Sequence, residues 1–146
     1  RHLIGGQILD LEGEGSDIQL TPTQLKYIHE SKTAALLTSS IRLGGMSANA
    51  TPQRLEALTS YGKSLGLAFQ IIDDILDVTQ TSEKLGKSAG KDEATDKSTY
   101  PALFGLEKSR KEAARLTKKA HDALKLFGKQ GQRLHEILDY LLDRDY

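Results

Sequence analysis

Apolar residues recur every three or four positions along most of the chain, and no stretch shows the alternation and Val, Ile and Tyr enrichment of a half-buried strand. A chain patterned this way buries one stripe per helix, so the spacing predicts an all-α fold. Its 146 residues are enough for one domain with a sizeable core. Twenty basic and twenty acidic side chains cancel, leaving no net field to draw the molecule toward nucleic acid or an anionic membrane. Neither is expected as a partner, and any phosphate chemistry has to come from local clusters. The absence of cysteine excludes a disulfide framework and thiolate metal sites. No apolar run approaches bilayer length and Arg1-His2-Leu3 lacks a signal-peptide pattern, so no stable membrane insertion is expected. The first residue is Arg rather than Met, which points to a processed, cut or partial chain.

Start and stop signals divide the chain. Leu3 to Leu11 reads as the end of a helix whose beginning is missing, closed by the Gly13-Glu14-Gly15-Ser16 loop. Thr21, with Pro22 at the first helical position and Gln24 placed to complete a capping box, opens a helix to about Leu43, where Gly44-Gly45 is expected to stop it. Thr51-Pro52 repeats the signal for a long helix to about Val78. Thr79 to Ser98 reads as a loop, and Pro101 restarts a helix kinked near Gly105 that continues as an amphipathic segment to Phe127. The last helix is expected at about Gln132 to Leu142, with Leu134, Ile137, Leu138, Leu141 and Leu142 on its core side.

The long helix sets charge where a core should be. Leu55, Leu58, Gly62, Leu65, Phe69, Ile72 and Leu76 follow one buried stripe, while Ile71, Ile75 and Val78 make the second half apolar around most of its circumference. Into that stretch fall Gln70, Asp73, Asp74 and Asp77, expected to point in neighbouring directions. Carboxylates this close repel one another, and an unpaired buried charge costs several kcal/mol, so a cation is expected among them. Mg²⁺ prefers carboxylate oxygens, keeps waters and shares a phosphate-bearing substrate, so Asp-Asp-x-x-Asp facing a cavity suits a Mg²⁺-diphosphate pair. A solvated acidic strip, or an aspartate paired with lysine, explains the spacing alone equally well; the apolar surroundings favour the metal.

The preceding helix repeats the anomaly. Leu25, Ile28, Lys32, Leu36, Ser39 and Leu43 share a helical spacing that puts Lys32 on the core stripe with Thr33 beside it. A lysine stem lying along the core edge with its ammonium in water is the common explanation for a lone case. Beside the aspartates, a lysine on a bound phosphate accounts for it better. Lys84, Lys87, Lys91 and Lys97, interrupted by Gly86 and Gly90, form a basic loop able to close over phosphates, although such loops are usually just solvated. The four histidines, His2, His29, His121 and His135, show no metal-ligand spacing and are expected at the surface.

Five segments, Gly5-Gly6-Gln7-Ile8-Leu9-Asp10, Lys32-Thr33, Phe69-Gln70-Ile71-Ile72-Asp73-Asp74-Ile75-Leu76-Asp77, Gly86-Lys87 and Lys97-Ser98-Thr99-Tyr100-Pro101, resemble in order and spacing the second half of trans-prenyl diphosphate synthases. The form is closest to bacterial farnesyl or geranylgeranyl diphosphate synthases, and the resemblance covers essentially the whole chain. It implies that residues 1–146 are the C-terminal part of one isoprenoid synthase domain, an all-α bundle around a deep cavity with two facing aspartate-rich motifs, of which only the second is here. By resemblance, Asp73 binds Mg²⁺ most directly, with Asp74 and Asp77 supporting it directly or through water. Lys32, Lys87 and, less directly, Lys97 hold the diphosphate of the allylic substrate. Thr33 and Gln70 supply dipoles to a carbocation, and Gln7, Asp10 and Phe69 line the cavity.

The implied reaction ionises dimethylallyl or geranyl diphosphate, joins the allylic cation to isopentenyl diphosphate, and removes a proton to give farnesyl or a similar short-chain prenyl diphosphate. The family implies a cytoplasmic enzyme that is a homodimer at full length. The first aspartate-rich motif and the isopentenyl diphosphate site would fall before Arg1, so this chain alone is expected to be inactive and to aggregate, dimerise or be held by its other half. The end, Asp143-Arg144-Asp145-Tyr146, is not the strongly basic tail of some relatives. Two competing identities are a non-catalytic helical partner subunit and a terpene cyclase or head-to-head synthase. Retention of the aspartates and lysines argues against the first, and the Lys97 to Pro101 block against the second.

Overall fold

A computed structural model describes residues 4–8, 20–85 and 99–142, and among these every regular element is helical. Residues 4–8 form a short helical piece. Helix α1 (Pro22–His29) runs through a π-helical turn (Glu30–Ala34) into α2 (Ala35–Ser47). The long α3 (Pro52–Leu85) follows, then a short α4 (Tyr100–Phe104), α5 (Leu106–Leu124), a 3₁₀ segment (Lys125–Gly131) and α6 (Gln132–Leu142). No described helix is long and apolar enough to cross a membrane.

The starts form as local chemistry dictates. Thr21 accepts from the Gln24 amide at 3.3 Å, and the Gln24 side chain accepts from the Thr21 amide at 2.9 Å, closing the capping box. Thr51 accepts from the Arg54 amide at 3.4 Å, and Thr99 from the Ala102 amide at 3.3 Å. Gly105, with φ 85°, adopts the left-handed region that side chains avoid and separates α4 from α5 at the expected kink.

Helix α3 is the axis of the molecule. Its buried residues Tyr61, Leu65, Ala68, Ile72 and Ile75 alternate steps of four and three and, with Ile71, form one core with Ala113, Leu116, Ala120 and Leu124 of α5 and Leu138 and Leu142 of α6, while Leu58 is buried nearer the start of α3. The buried seam therefore lies to one side of the predicted stripe: Leu55, Phe69 and Leu76 are only half-buried, whereas Tyr61, Ala68 and Ile75 are fully inside. Tyr61 donates its hydroxyl to the Leu134 carbonyl at 2.8 Å, satisfying its polar end.

Several expectations need correction. Gly44-Gly45 does not end the second helix, which continues to Ser47. A Cβ at Gly45 would come within 2.5 Å of Leu58 Cδ1, so this glycine serves close packing on α3 rather than termination. Helix α3 passes Val78 to reach Leu85, so residues 79–85 are helix rather than loop; the rest of that expected loop, from Gly86 to Ser98, lies outside the described residues. Val78 itself is exposed, so the apolar wrap around the second half of α3 is incomplete. The segment after Leu124 tightens into a 3₁₀ turn before Phe127, and Ile137 faces solvent.

The largest revision concerns the stripe through Lys32. Leu25 and Ile28 are buried as expected, but Leu36 and Leu43 are 55% and 64% exposed and Ser39 is also exposed. A π-turn takes an extra residue, so everything after it rotates about the helix axis. The buried face resumes at Ala34, Thr38 and Gly45, with Leu37 and Ile41 alongside.

Candidate active site

The α1–α2 rod and α3 run antiparallel and cross closely. A Cβ at Gly66 would lie 2.4 Å from Ala34 Cα, and one at Gly62 would lie 2.8 Å from Thr38 Cα, so each glycine admits the opposing backbone. Further along, His29 Nε2 lies 3.5 Å from Asp74 Oδ2. With 34 opposite 66 and 29 opposite 74, the register sets Lys32 and Thr33 level with Phe69 and Gln70, one turn before Asp73. Those four residues, scattered in sequence, stand at one level of the crossing and are all half-buried. Lys32 and Thr33 sit within the π-turn itself, and such turns occur frequently at functional positions.

The short piece 4–8 also reaches this turn. A Cβ at Gly6 would stand 2.7 Å from the Lys32 amide nitrogen and 2.9 Å from Ser31 Cβ. Gln7, expected to line a cavity, is exposed on that piece. Asp10, Lys87, Lys91 and Lys97 lie outside the described residues, as does the side chain of Lys84.

The three aspartates are not equivalent. A 100° step per residue keeps Asp73 and Asp77 about 40° apart on one side of α3, whereas Asp74 is turned by about 100°. Asp73 is half-buried and Asp77 exposed. The Tyr100 backbone amide donates to Asp74 Oδ2 at 2.7 Å, so this carboxylate is directed to the start of α4 and to His29, not into a common cluster with Asp73 and Asp77. Among the described residues no three His, Asp or Glu side chains converge as a ready-made cation cage. Asp73 and Asp77 nonetheless fit Mg²⁺, which is held through one or two carboxylates plus phosphate oxygens and water rather than by an all-protein cage.

Among the histidines expected at the surface, His2 lies outside the described residues and His29 requires correction. His29 is only 4% exposed, because α1 turns it toward α3 and α4. Its ring stacks against Tyr100, with centroids 6.4 Å apart and planes 21° off parallel, and Tyr100 in turn meets Phe104 at 4.5 Å. Burial raises the Tyr100 phenol above its ordinary range, with Glu112 adding to the rise and Arg115 opposing it. His121 and His135 are half-buried and join α5 to α6 through Nδ1 atoms 2.7 Å apart, while His121 Nε2 lies 3.0 Å from Asp139. Spacing alone gave no sign of His29, because only the tertiary crossing brings Asp74 to it.

A separate cavity of about 580 Å³ lies between the π-turn, α3 and α5. Ser31, Ala34, Lys63 and Arg115 line it, but Lys32, Thr33, Gln70 and Asp73 do not.

Residues 1–140 match the family model described as polyprenyl synthetase. The chain belongs to the polyprenyl synthetase family. It is 44% identical over 147 aligned positions to farnesyl diphosphate synthase of Escherichia coli K12, covering 98% of this chain and 48% of that protein. Its fold matches the crystal structure of an FPP/GFPP synthase from Zymomonas mobilis with a TM-score of 0.78 and 29% identity, over 95% of this chain and 45% of that one. A geranyltransferase from Helicobacter pylori, crystallised with magnesium and isoprenyl diphosphate, matches with a TM-score of 0.67 and 33% identity, over 97% of this chain and 46% of that one. The chain spans between a third and a half of the length of the curated relatives it matches.

Proposed function

We propose that this chain supplies the second aspartate-rich half of a trans-prenyl diphosphate synthase, which joins an allylic diphosphate to isopentenyl diphosphate and yields a farnesyl-length or similar product. It forms the C-terminal part of one isoprenoid synthase domain, in a full-length protein that acts as a homodimer in the cytoplasm and is inactive without the remaining part. The observation that carries this reading is the register of the α1–α2 rod on α3, which levels Lys32 and Thr33 with Phe69 and Gln70 one turn from Asp73.

Each residue has work that its chemistry suits. Asp73 holds the cation most directly and Asp77 supports it from the next turn, with Asp74 in support behind them. A Mg²⁺ ion held by these carboxylates would supply positive charge to the diphosphate oxygens. Lys32, joined by Lys87 and Lys97, neutralises the charge that develops on the departing pyrophosphate. The Thr33 hydroxyl and Gln70 carbonyl turn dipoles toward the allylic carbon without offering it a competing nucleophile, and Phe69, Gln7 and Asp10 serve as cavity-lining residues. The new carbon–carbon bond forms from the isopentenyl double bond, and the proton lost from the adjacent carbon passes to the released pyrophosphate.

The test is incubation with Mg²⁺, isopentenyl diphosphate and geranyl diphosphate, with product analysis and the intact mass of the same sample. The full-length protein carrying this sequence should form a prenyl product, and Asp73→Ala should reduce turnover by about a thousandfold or more while the protein stays folded. The 146-residue chain, with its mass confirmed, should form none. Near-normal turnover by Asp73→Ala refutes the metal role, and product from the chain alone refutes its dependence on the other half.

A further inference from the structure

Resting on that reading of the site, we propose that Asp74 and His29 are positioning residues, and that the Asp74 carboxylate pins three elements together rather than ligating the cation. One oxygen, Oδ2, accepts the Tyr100 amide at 2.7 Å and lies 3.5 Å from His29 Nε2. The first amides of a helix have no partner inside it. Asp74 takes the one at Tyr100 while Thr99 takes the one at Ala102, so the start of α4 is fastened to α3 by a charged acceptor. His29 closes the third side, buried at the end of α1 with its ring stacked on Tyr100.

The direction of the side chain follows from the helix. Asp73 and Asp77 share a face; Asp74 stands about 100° from Asp73, toward the protein rather than toward the shared face. What the pin controls is the relation between the two halves of the site. His29 precedes Lys32 by less than one turn, and Ala34 packs on Gly66 at the far end of the π-turn. The π-turn that carries Lys32 and Thr33 thus has one attachment to α3 at Asp74, before it, and another at Gly66, at its end. Release of the first lets the π-turn shift against Asp73 and lowers diphosphate affinity without removing any group that touches the ligand.

The test compares Asp74→Asn with Asp74→Ala. The Asn carbonyl can still accept the Tyr100 amide, whereas Ala cannot. Two quantities are measured: hydrogen exchange of the Tyr100 amide without ligand, and calorimetric binding of inorganic pyrophosphate in the presence of Mg²⁺. The unsubstituted chain and Asp74→Asn should protect the Tyr100 amide, and Asp74→Ala should exchange about tenfold faster or more, as expected for loss of a hydrogen bond to a charged group. Pyrophosphate affinity should fall less than about fivefold in Asp74→Asn and more than about tenfold in Asp74→Ala. If Asp74→Ala does not fold, His29→Phe replaces it, keeping a buried ring but losing the Nε2 contact; it should speed Tyr100 exchange and weaken pyrophosphate. Equal loss of binding in Asp74→Asn and Asp74→Ala, with the amide still protected in Asp74→Asn, overturns the proposal and makes Asp74 a ligand. Fast Tyr100 exchange in the unsubstituted chain also overturns it. Asp73→Ala separates the two ideas: it should abolish Mg²⁺-dependent binding and leave Tyr100 exchange unchanged, and undiminished binding there refutes the site itself while the exchange measurement still judges the pin.

Discussion

Replacing Gly66 with alanine should damage both the fold and the site. The added Cβ would stand 2.4 Å from Ala34 Cα, 2.6 Å from Ala34 Cβ and 3.1 Å from the Ala34 amide nitrogen. Carbon atoms in contact prefer about 3.5 Å or more, so the π-turn has to move by roughly 1 Å. Two of the three atoms struck are backbone and cannot swing aside, which puts the cost near the upper end of the ~1–3 kcal/mol typical of overpacking. Alanine returns ~1 kcal/mol through its helix propensity, leaving a net loss of about 1–2 kcal/mol. Melting should fall by roughly 3–6 °C, taking about 3 °C per kcal/mol at this chain length. Gly44→Ala is the matched control. A Cβ there meets nothing within 4 Å, so the same substitution in a helix should stabilise by about 0.5–1 kcal/mol. Thermal and urea unfolding of both variants decide the matter. A Gly66→Ala chain as stable as the original would refute the close crossing, and with it the register that brings Lys32 level with Gln70.

Other outcomes follow from single contacts. Tyr61→Phe removes the buried hydrogen bond from the hydroxyl to the Leu134 carbonyl and should cost about 1 kcal/mol in urea unfolding. Burial, aided by Asp139, pushes the Tyr61 phenol up to about 12 from its ordinary 10. Since the unfolded chain releases that proton first, stability should decline as pH rises from about 10 toward 12, and the decline should be shallower in Tyr61→Phe. Thr21→Ala dissolves the capping box and should cost about 1 kcal/mol, seen as a lower urea midpoint; an unchanged midpoint would mean that packing of Leu25 and Ile28 alone holds α1.

What could be read from the chain beforehand divides along physical lines. Thr21-Pro22-Gln24 and the bounds of α6 were legible because a cap or a turn is decided by residues a few positions apart. Gly45 was misread because its use depends on Leu58, which approaches from another helix. The π-turn was invisible, since one extra residue leaves no mark on composition, yet it moves the buried face away from Leu36 and Leu43. At the site, Lys32 and Asp73 stood out as charges on otherwise apolar stretches. His29 did not, because a lone histidine announces burial only through the partners that the fold brings to it, here Asp74 and Tyr100. The same crossing distinguishes Asp74 from Asp73 and Asp77, a difference that the bare Asp-Asp-x-x-Asp spacing conceals.

The central claim is that Asp73 and Lys32 belong to one Mg²⁺-diphosphate site. It is tested most directly by thermal unfolding of the chain with pyrophosphate, with Mg²⁺ and with both. A ligand that binds only the folded state stabilises it by about 2.7 kcal/mol at a hundred times its dissociation constant. The account predicts an upward shift in melting with both components, little with either alone, and no shift in Asp73→Ala. Identical melting under all conditions, or a pyrophosphate shift that needs no Mg²⁺ and survives Asp73→Ala, would contradict it.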